Sequence, residues 1–498
     1  MKISLLTVVI ALAYRAFGTN DWTKACLGGS CSFDIEASPA SMSGTIQISG
    51  SSSSISDITP AAGWQILDCS GSTNNQTVRL VCTDESLGCG HIFQNGAQDT
   101  IVRLPQGCGV GPFVRVANHS ISDDQSIPTK VTSRVMKRDG TTPQVHALQI
   151  DDDFSQASGQ HGNVSFEVHA QGDFRVANGP KQSKRQNGSG STFEVVFIQP
   201  ESVTPFDLNL TCPAADGTTQ TQFMFGSVSL DRAQFNTTID ITSTGTMSPP
   251  NIETLSFSAP SDALIILQSN FEAGLQGSTD IGFDLGSETF PSFSIAGVLE
   301  ISPVFSVSGS ASVNAQLLTN FIPETAFDIS ITDLQFTYPS NEPPASVNIP
   351  APGLSFDVLA LPTAGSFAEF NIGALFEFVV GVSAFSQSVG LEFSYSFSSN
   401  MILDSTPTSE DDEQVCIEIN DVSQLNLGNS NAFFDAFSSG NTETIFSGAG
   451  SLFSNCTTLA LGPAPDVTHA TRSTLQSRDG VSCPPVAALP ETSISITS

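Results

Sequence analysis

Positively charged side chains are scarce in this chain of 498 residues. Lys and Arg together number 17 against 49 Asp and Glu, which gives a formal net charge of −32 at pH 7. No Lys or Arg lies between Arg232 and Arg472, so trypsin should release residues 233–472 as a single fragment. Nucleic-acid phosphates and anionic membrane surfaces both attract basic side chains. The charge balance therefore excludes nucleic acid as a partner and electrostatic docking on anionic membranes.

Long hydrophobic runs and polar aromatic residues are also few. After residue 18 no segment reaches the length of a transmembrane helix, and residues 491–498 lack the hydrophobic end of a lipid-anchor signal. The aromatic residues are 35 Phe against 3 Tyr and 2 Trp, which indicates rings packed in a dry interior without a hydroxyl partner. We interpret Trp22 and Trp64 as core residues rather than as a platform for sugar stacking.

Sequence signatures of catalysis are missing as well. The chain contains no Gly-x-Ser-x-Gly elbow, no His-Glu-x-x-His, no Walker loop and no dinucleotide-binding glycine motif. His146, His161 and His169 are spread among polar neighbours, and we interpret them as structural. A glycosidase needs only two facing carboxylates, one with a raised pKa. The acids inside alternating strands are candidates for that role, although their place on the polar half of the alternation favours a solvated surface: Asp284, Glu300, Asp328, Asp357, Glu369, Glu377 and Glu392.

Metal and cofactor sites have little support in the sequence. Cys82, Cys89 and His91 could serve as zinc ligands, but disulfides are the better interpretation in a secreted chain without a close Cys-x-x-Cys pair. The acidic runs at residues 151–153 and 410–413 could bind calcium, yet neither has the spaced ligands and the glycine of an EF-hand loop. We predict neither a metal nor a cofactor.

The feature that organises the chain is an alternation of apolar and polar residues between about residues 255 and 400. From residue 305 to 317 every odd position is apolar or Gly and every even position is polar, and the alternation returns at 376–382 and 389–397. Such a period of two predicts strands with one dry face. The pattern slips by one residue at 332–333, which predicts a β-bulge. We predict a mainly β protein: a small disulfide-stapled N-terminal β module followed by a large antiparallel β-sandwich or curved-sheet domain.

Composition divides the chain into five parts. The cysteine-rich module is followed by a stretch in which basic residues concentrate, then by the alternating strands, and finally by an Ala/Pro/Ser/Thr segment without periodicity. The predicted boundaries are a signal peptide at 1–18, the N-terminal module at 19–119, a connector with short strands at 120–191, the main antiparallel β domain at 192–460 and a flexible tail at 461–498.

Several features predict a secreted, extracellular or cell-wall protein. Residues 1–18 combine Lys2, an apolar run at 3–14 and a small-x-small cleavage site at 16–18. Two dibasic pairs end at Arg138 and Arg185 and are candidate processing sites, with a solvated linker as the alternative. Seven Asn-x-Ser/Thr sequons are candidate glycosylation sites: Asn75, Asn118, Asn163, Asn187, Asn209, Asn236 and Asn455.

Ten cysteines in an oxidising compartment predict disulfides. Six of them lie within 26–108, and we expect these to pair among themselves. Cys416 should pair with Cys456, with Cα atoms within about 7 Å of one another. Cys212 and Cys483 would form the remaining couple, or Cys483 would be free in the tail. The disulfide candidates are Cys26, Cys31, Cys69, Cys82, Cys89, Cys108, Cys212, Cys416, Cys456 and Cys483.

One local pattern is more specific than the composition. It consists of GWQILDC at 63–69, VRLVC at 78–82, CGHIF at 89–93 and TIVRLPQGCGVGPF at 100–113. These segments resemble the N-terminal cysteine module of secreted proteins from mushroom-forming fungi. PQVHAL at 143–148 and the Ser/Phe-rich strands at 297–316 are similar to the rest of that family. The resemblance implies a secreted, β-rich basidiomycete protein and brings no activity and no catalytic residue.

Three functions follow as hypotheses. The first is a secreted, glycosylated, non-enzymatic β protein of the fungal cell wall or extracellular matrix, with cell-wall polysaccharide as its partner. The second is a carbohydrate-active enzyme that uses paired acids, which requires two carboxylates about 5–10 Å apart in a cleft. The third is a carrier of apolar ligands, which requires a closed apolar cavity.

Overall fold

The computed structural model places most of the chain in β-strands and divides it into two compact units. The N-terminal unit comprises residues 1–170, 243–251 and 295–298, and the main unit comprises residues 171–242, 252–294 and 299–498. The prediction of a mainly β fold is confirmed. The structure describes residues 20–38, 40–135, 142–178, 192–197, 203–213, 218–316, 322–334, 337–338, 349–360, 366–409, 412–429, 442–460, 477–478 and 481–483.

The N-terminal unit is built on short strands. These are β1 (Ser30–Ile35), β2 (Ser43–Ser49), β3 (Ile55–Asp57), β4 (Trp64–Asp68), β5 (Gln76–Cys82), β6 (Ile101–Arg103), β7 (Phe113–Ile121) and β8 (Val145–Asp151). The helix α1 (Thr129–Val135) and 3-10 turns at Pro60–Ala62, Glu85–Leu87, Cys89–Phe93 and Phe154–Gln156 complete it. Within the described ranges, no helix combines the length and the apolar character that crossing a membrane requires.

Six of these strands form one sheet in the order β3-β6-β7-β8-β5-β4. Trp64, Leu80, Val114 and Leu148 belong to its buried cluster, so Trp64 is a core residue rather than a sugar platform. Strand β8 lies between β5 and β7, in the centre of the sheet. The predicted boundary at residue 119 falls inside β7, and the predicted connector at 120–191 contributes a central strand. The N-terminal module therefore extends to Ala170.

Two buried arginines hold this unit together. Arg103 forms an ion pair with Asp57 at 2.6 Å and lies under the ring of Trp22. Arg115 forms ion pairs with Asp99 at 3.0 Å and with Asp151 at 2.6 Å. The pKa of Asp99 is lowered because hydrogen bonds from Ser158 and the Arg115 charge outweigh its burial. Each buried cation thus has a carboxylate partner, as low-polarity surroundings demand.

Longer strands follow along the chain. They are β9 (Val164–Asn178), β10 (Thr192–Phe197), β11 (Val203–Pro213), β12 (Thr219–Ser248), β13 (Pro250–Ser258), β14 (Ser261–Ala273), β15 (Gln276–Thr289), β16 (Phe293–Ile295), β17 (Leu299–Gln316), β18 (Ile322–Leu334), β19 (Thr337–Tyr338), β20 (Gly353–Ala360), β21 (Phe367–Ala384), β22 (Gln387–Pro407), β23 (Asp412–Asn429), β24 (Thr442–Ala460), β25 (Ser477–Arg478) and β26 (Val481–Ser482).

The main unit is a sandwich of two sheets. One runs β9-β12-β14-β18-β20, with β10 beside β9, β11 and β13 beside β12, and β19 beside β13. The other runs β24-β23-β22-β21-β17-β15-β26-β25, with β16 beside β17. Phenylalanine rings join them: Phe235 of β12 meets Phe305 of β17 at 5.3 Å, and Phe327 of β18 meets Phe397 of β22 at 5.0 Å. The alternation read from the sequence places these rings inside the sandwich.

The pairing is antiparallel almost throughout, and the predicted bulge is present. In the β14–β18 ladder Ser261 lies opposite Leu334 and Ala263 opposite Ile331. Two residues, 332 and 333, therefore oppose Asp262 alone, which is a β-bulge at the predicted place. The parallel exceptions among the described pairs are β10 with β9 and β3 with β6.

All ten cysteines are paired in five disulfides. The six N-terminal cysteines pair among themselves, as expected: Cys26–Cys31, Cys69–Cys108 and Cys82–Cys89. Cys416 is bonded to Cys456 with a Cα–Cα distance of 4.0 Å, within the predicted limit.

The described residues of the predicted flexible tail are joined to the main unit. Cys483 is bonded to Cys212, and β26 pairs with β15. Residues 477–478 and 481–483 therefore belong to the main unit. The predicted signal peptide at 1–18, the processing sites at Arg138 and Arg185, and the sequon at Asn187 lie outside the described residues.

Candidate functional site

One polar surface stands out on the main unit. Strands β17, β21, β22 and β23 alternate strictly, so one set of side chains points to the phenylalanine interior and the other points outward. We call the outward set the serine face. Apart from its acids it combines hydroxyl and amide side chains with a few aliphatic ones, such as Leu375, Val379 and the exposed Val422. The polar members are Ser306, Ser308, Ser310, Ser312, Asn314, Asn371, Ser396, Ser398, Asn400, Asn420, Gln424 and Asn426.

A single row crosses this face from strand to strand. Ser312 lies opposite Asn371, Asn371 opposite Asn400, Asn400 opposite Asn420, and Asn420 opposite Ser451. The side-chain amide of Asn371 donates to the hydroxyl of Ser312 at 3.1 Å. Neighbouring strands are about 4.8 Å apart, so the row presents polar groups at that interval across five strands. It offers both donors and acceptors to a hydroxyl-rich polymer.

Two of the predicted acids meet on the serine face. Glu377 of β21 lies opposite Ser394 of β22, and Glu392 lies two residues before Ser394 in β22. Such diagonal neighbours are separated by about 7–8 Å. The pKa of Glu377 is raised, first by burial and then by the negative charge of Glu392, although the Ser306 hydroxyl donates to Glu377 at 3.4 Å and acts the other way. Burial and charge thus give Glu377 a raised pKa next to a second carboxyl group on the same face.

The other acid candidates lie apart from this pair. Glu369, on the serine face, accepts a hydrogen bond of 2.6 Å from the Asn400 amide. Asp328 and Asp357 lie on β18 and β20 of the other sheet, and Asp284 and Glu300 are exposed on β15 and β17. Only Glu377 and Glu392, of the seven, are diagonal neighbours. The sequence does not reveal them as a pair, because their pairing depends on the turn between β21 and β22. Phe385 and Ser386 form this turn with positive φ, at positions where Gly, Asn or Asp is usual, so the hairpin has no turn signal in the sequence.

A buried acid between the two sheets has no signature in the sequence. Asp421 of β23 points to the interior and is nearly inaccessible to solvent. The hydroxyl of Ser423 contacts its carboxyl at 3.4 Å. Burial raises the pKa of Asp421, because the low-polarity interior disfavours the charged form. The sequence contains no Lys or Arg between Arg232 and Arg472, so no cation of this segment can pair with the Asp421 carboxylate.

In the N-terminal unit the structure joins two histidines that the sequence left separate. Nε2 of His119 on β7 lies 3.0 Å from Nδ1 of His146 on β8. The ring centroids are 5.3 Å apart. Because this separation matches the distance between the two nitrogens plus the radii of the two rings, the two nitrogens point at each other. The phenyl ring of Phe93 lies against both rings. This is the geometry of one imidazole donating a hydrogen bond to the other. His161 is instead a buried residue whose Nε2 lies 2.8 Å from the Gln98 carbonyl.

These histidines should make the N-terminal unit sensitive to acid. The pKa of His119 is lowered by burial, and that of His146 by burial and by its neighbour His119. The pKa of His91 is lowered by burial. These histidines therefore bind protons more readily in the unfolded chain than in the folded unit. The free energy of unfolding consequently falls as the pH drops below about 6.5.

Tryptophan fluorescence measures this effect directly, because Trp22 and Trp64 are the only tryptophans and both lie in the N-terminal unit. Urea midpoints should fall between pH 7.5 and pH 5, and His146→Gln should flatten the dependence. A urea midpoint that stays constant over this pH range, or an equal change of the midpoint with pH in the variant, would contradict the role of these histidines.

The groups that could have held a metal are engaged elsewhere. Cys82 and Cys89 are bonded to each other, and His91 Nδ1 lies 3.2 Å from the Ser56 hydroxyl. Asp151 pairs with Arg115, Asp152 accepts a hydrogen bond from Asn74, and Asp153 accepts one from Ser155. Across the described ranges, no group of three or more His, Cys, Asp or Glu is arranged to hold a metal ion.

Two gaps in the sandwich interior bear on the carrier hypothesis. One is lined by residues such as Phe257, Phe378 and Phe393, and the other by residues such as Phe235, Phe305 and Tyr395. Each holds about 10 Å³ of free space, which is room for no more than one water molecule. Neither gap can take an apolar ligand.

The candidate glycosylation sites that the structure describes are all on the surface. Their asparagine side chains are exposed, which an attached glycan requires: Asn75, Asn118, Asn163, Asn209, Asn236 and Asn455.

Comparison with known proteins gives no relative: no protein-family model, no curated protein and no solved structure matches this chain.

Proposed function

We propose that this protein is a secreted, glycosylated, non-enzymatic component of a fungal cell wall or extracellular matrix that binds neutral polysaccharide through its serine face. The observation that carries the proposal is the row of Ser312, Asn371, Asn400 and Asn420 across neighbouring strands. Sugar hydroxyls donate and accept hydrogen bonds, and short hydroxyl and amide side chains match both roles.

The rest of the molecule supports an extracellular setting. All ten cysteines form disulfides, which persist in oxidising compartments. The exposed sequons fit a glycoprotein, and the resemblance of the N-terminal segments to secreted basidiomycete proteins points the same way. A surface with many acids and few cations stays hydrated and resists aggregation in a gel of polysaccharide.

A sedimentation assay tests the proposal. The full chain should be depleted from solution by insoluble β-1,3-glucan or chitin, and Asn371→Ala and Asn420→Ala should each weaken the binding about fivefold, the effect of one hydrogen bond worth about 1 kcal/mol. The matched control is Thr221→Ala, an exposed polar residue on β12 of the other sheet, which should bind as the parent does. Unchanged binding in both asparagine variants would contradict a role of the row.

A second candidate function is glycoside hydrolysis by Glu377 and Glu392. The observation in its favour is the raised pKa of Glu377 beside a second carboxylate, the pairing that acid catalysis on sugars uses. The same polysaccharides separate the two functions. Release of soluble oligosaccharides that Glu377→Gln abolishes would establish hydrolysis, and binding without release would leave the serine face as a binding surface alone.

A further inference from the structure

The disulfide Cys416–Cys456 differs from the other four in its access to solvent. Cys456 is exposed on β24 and Cys416 is half-buried on β23. In each of the other four disulfides at least one cysteine is buried. Both cysteines are buried in Cys26–Cys31 and in Cys212–Cys483, whereas only Cys108 is buried in Cys69–Cys108 and only Cys89 in Cys82–Cys89. A thiolate can attack a disulfide only where a sulfur is accessible. Access therefore singles out this bond.

Its place in the sheet keeps the two sulfurs together after the bond is broken. Cys416 and Cys456 are directly opposite in the β23–β24 ladder, with Cα atoms 4.0 Å apart. Among the described strands β24 ends its sheet and pairs with β23 alone, so a reagent can approach from its open side. The backbone ladder on both sides of the pair, from Asp412 to Gly428, does not depend on the disulfide. The bond can thus open and close with little change elsewhere.

Charge around the bond restricts which thiols can reach it. Asp404 of β22 lies directly opposite Cys416, and Glu418 is two residues along β23, so both carboxylates share the face of the disulfide. Both are exposed, and no Lys or Arg occurs between Arg232 and Arg472. Like charges repel an approaching anion and attract a cation. An anionic thiol such as glutathione should therefore react more slowly here than a neutral or cationic one.

We propose that Cys416–Cys456 is a reversible thiol–disulfide exchange site for small neutral or cationic thiols. A thiolate attacks Sγ of Cys456 and forms a mixed disulfide, while the bond to Cys416 breaks and its electron pair leaves on the Cys416 sulfur, which takes a proton from water. The Cys416 thiolate can attack Sγ of Cys456 in the mixed disulfide, which expels the small thiolate and restores the original bond. Alternatively, a second thiolate attacks the mixed disulfide, so that two thiols are oxidised to one disulfide and both cysteines are reduced.

The full chain, enzymatically deglycosylated, provides the test. It is exposed for increasing times to cysteamine, 2-mercaptoethanol or glutathione at equal thiolate concentration, and free thiols are then alkylated. Residues 233–472 contain Cys416 and Cys456 and no other cysteine, so two alkyl groups on this single tryptic fragment report this bond alone. We expect this bond to open at least tenfold faster than Cys69–Cys108, and faster with cysteamine than with glutathione. Equal rates for the two disulfides would overturn the proposal.

Two charge variants separate access from electrostatics. Asp404→Asn and Glu418→Gln leave the cysteines in place and should raise the glutathione rate about twofold to fivefold, with less effect at high salt. An unchanged glutathione rate in both variants would overturn the charge selectivity. Exchange of cysteamine for its disulfide, cystamine, should let the bond re-form in the parent chain with release of two cysteamine molecules, and a bond that stays open would overturn its reversibility.

Discussion

Replacement of Asp57 by Asn is expected to lower the unfolding free energy of the N-terminal unit by about 3–5 kcal/mol. The carboxylate of Asp57 is fully buried, and the Arg103 side chain that it pairs with is 6% exposed. The Asp57 carboxylate also accepts hydrogen bonds from the backbone N–H of Cys26 at 3.0 Å and of Thr59 at 2.7 Å. An amide in its place leaves the guanidinium buried without a counter-charge, which is the costly outcome for a buried pair. Urea unfolding followed by tryptophan fluorescence measures the loss.

The N-terminal unit contains its own control. Asp68 also pairs with an arginine, Arg79, at 2.7 Å, but its side chain is 61% exposed. Water screens such a pair, so Asp68→Asn should change stability by about 0–1 kcal/mol. Equal losses in the two variants would mean that the burial of Asp57 does not determine its contribution. A double change, Asp57→Asn with Arg103→Met, removes the stranded charge and should recover part of the stability.

The strands could be predicted from the sequence because their signal is local. A half-buried strand shows its period of two within a few residues, and the sandwich strands such as β17 and β21 carry it over 18 residues each. The bulge at residues 332–333 is visible for the same reason, since it shifts the period within one strand. The predicted connector failed as a separate part because its bounds were drawn from composition, where basic residues concentrate. Short strands were predicted within it, but the place of β8 in the centre of its sheet depends on its pairing with β5 and β7.

The pairs of residues could not be predicted in the same way, because they depend on register. His119 and His146 are 27 residues apart, and the β7–β8 ladder that joins them shifts between Val116 and Asn118. The ion pair of Arg103 and Asp57 requires β3 and β6 to be neighbours, and their pairing is parallel. Neither arrangement leaves a trace in local composition. The cysteines are a partial exception, since each requires a covalent partner. The grouping of the six N-terminal cysteines and the pair Cys416–Cys456 could be predicted, whereas the pairing within the six could not, because six cysteines allow many connectivities.

In the main unit, Phe271→Ala is expected to lower the unfolding free energy by about 3–5 kcal/mol, the loss typical of a buried phenylalanine. Phe271 of β14 is 1% exposed. Its ring lies between Phe206, at 5.9 Å, and Phe370 of the facing sheet, at 5.1 Å. Alanine removes both contacts and leaves a cavity that two long, hydrogen-bonded sheets cannot easily close. Urea unfolding followed by far-ultraviolet circular dichroism measures the loss, and hydrogen exchange of β14 and β21 locates it.

Phe223→Ala is the matched control, because Phe223 of β12 is 39% exposed and its removal opens no cavity. We expect it to change stability by less than about 1 kcal/mol. The comparison separates two explanations for the abundance of phenylalanine. If the rings stabilise the main unit by packing between the sheets, only the buried one matters. If they act through strand propensity, which favours an aromatic residue at any strand position, both variants should lose similar amounts. Similar losses would therefore contradict packing between the sheets as the role of these rings.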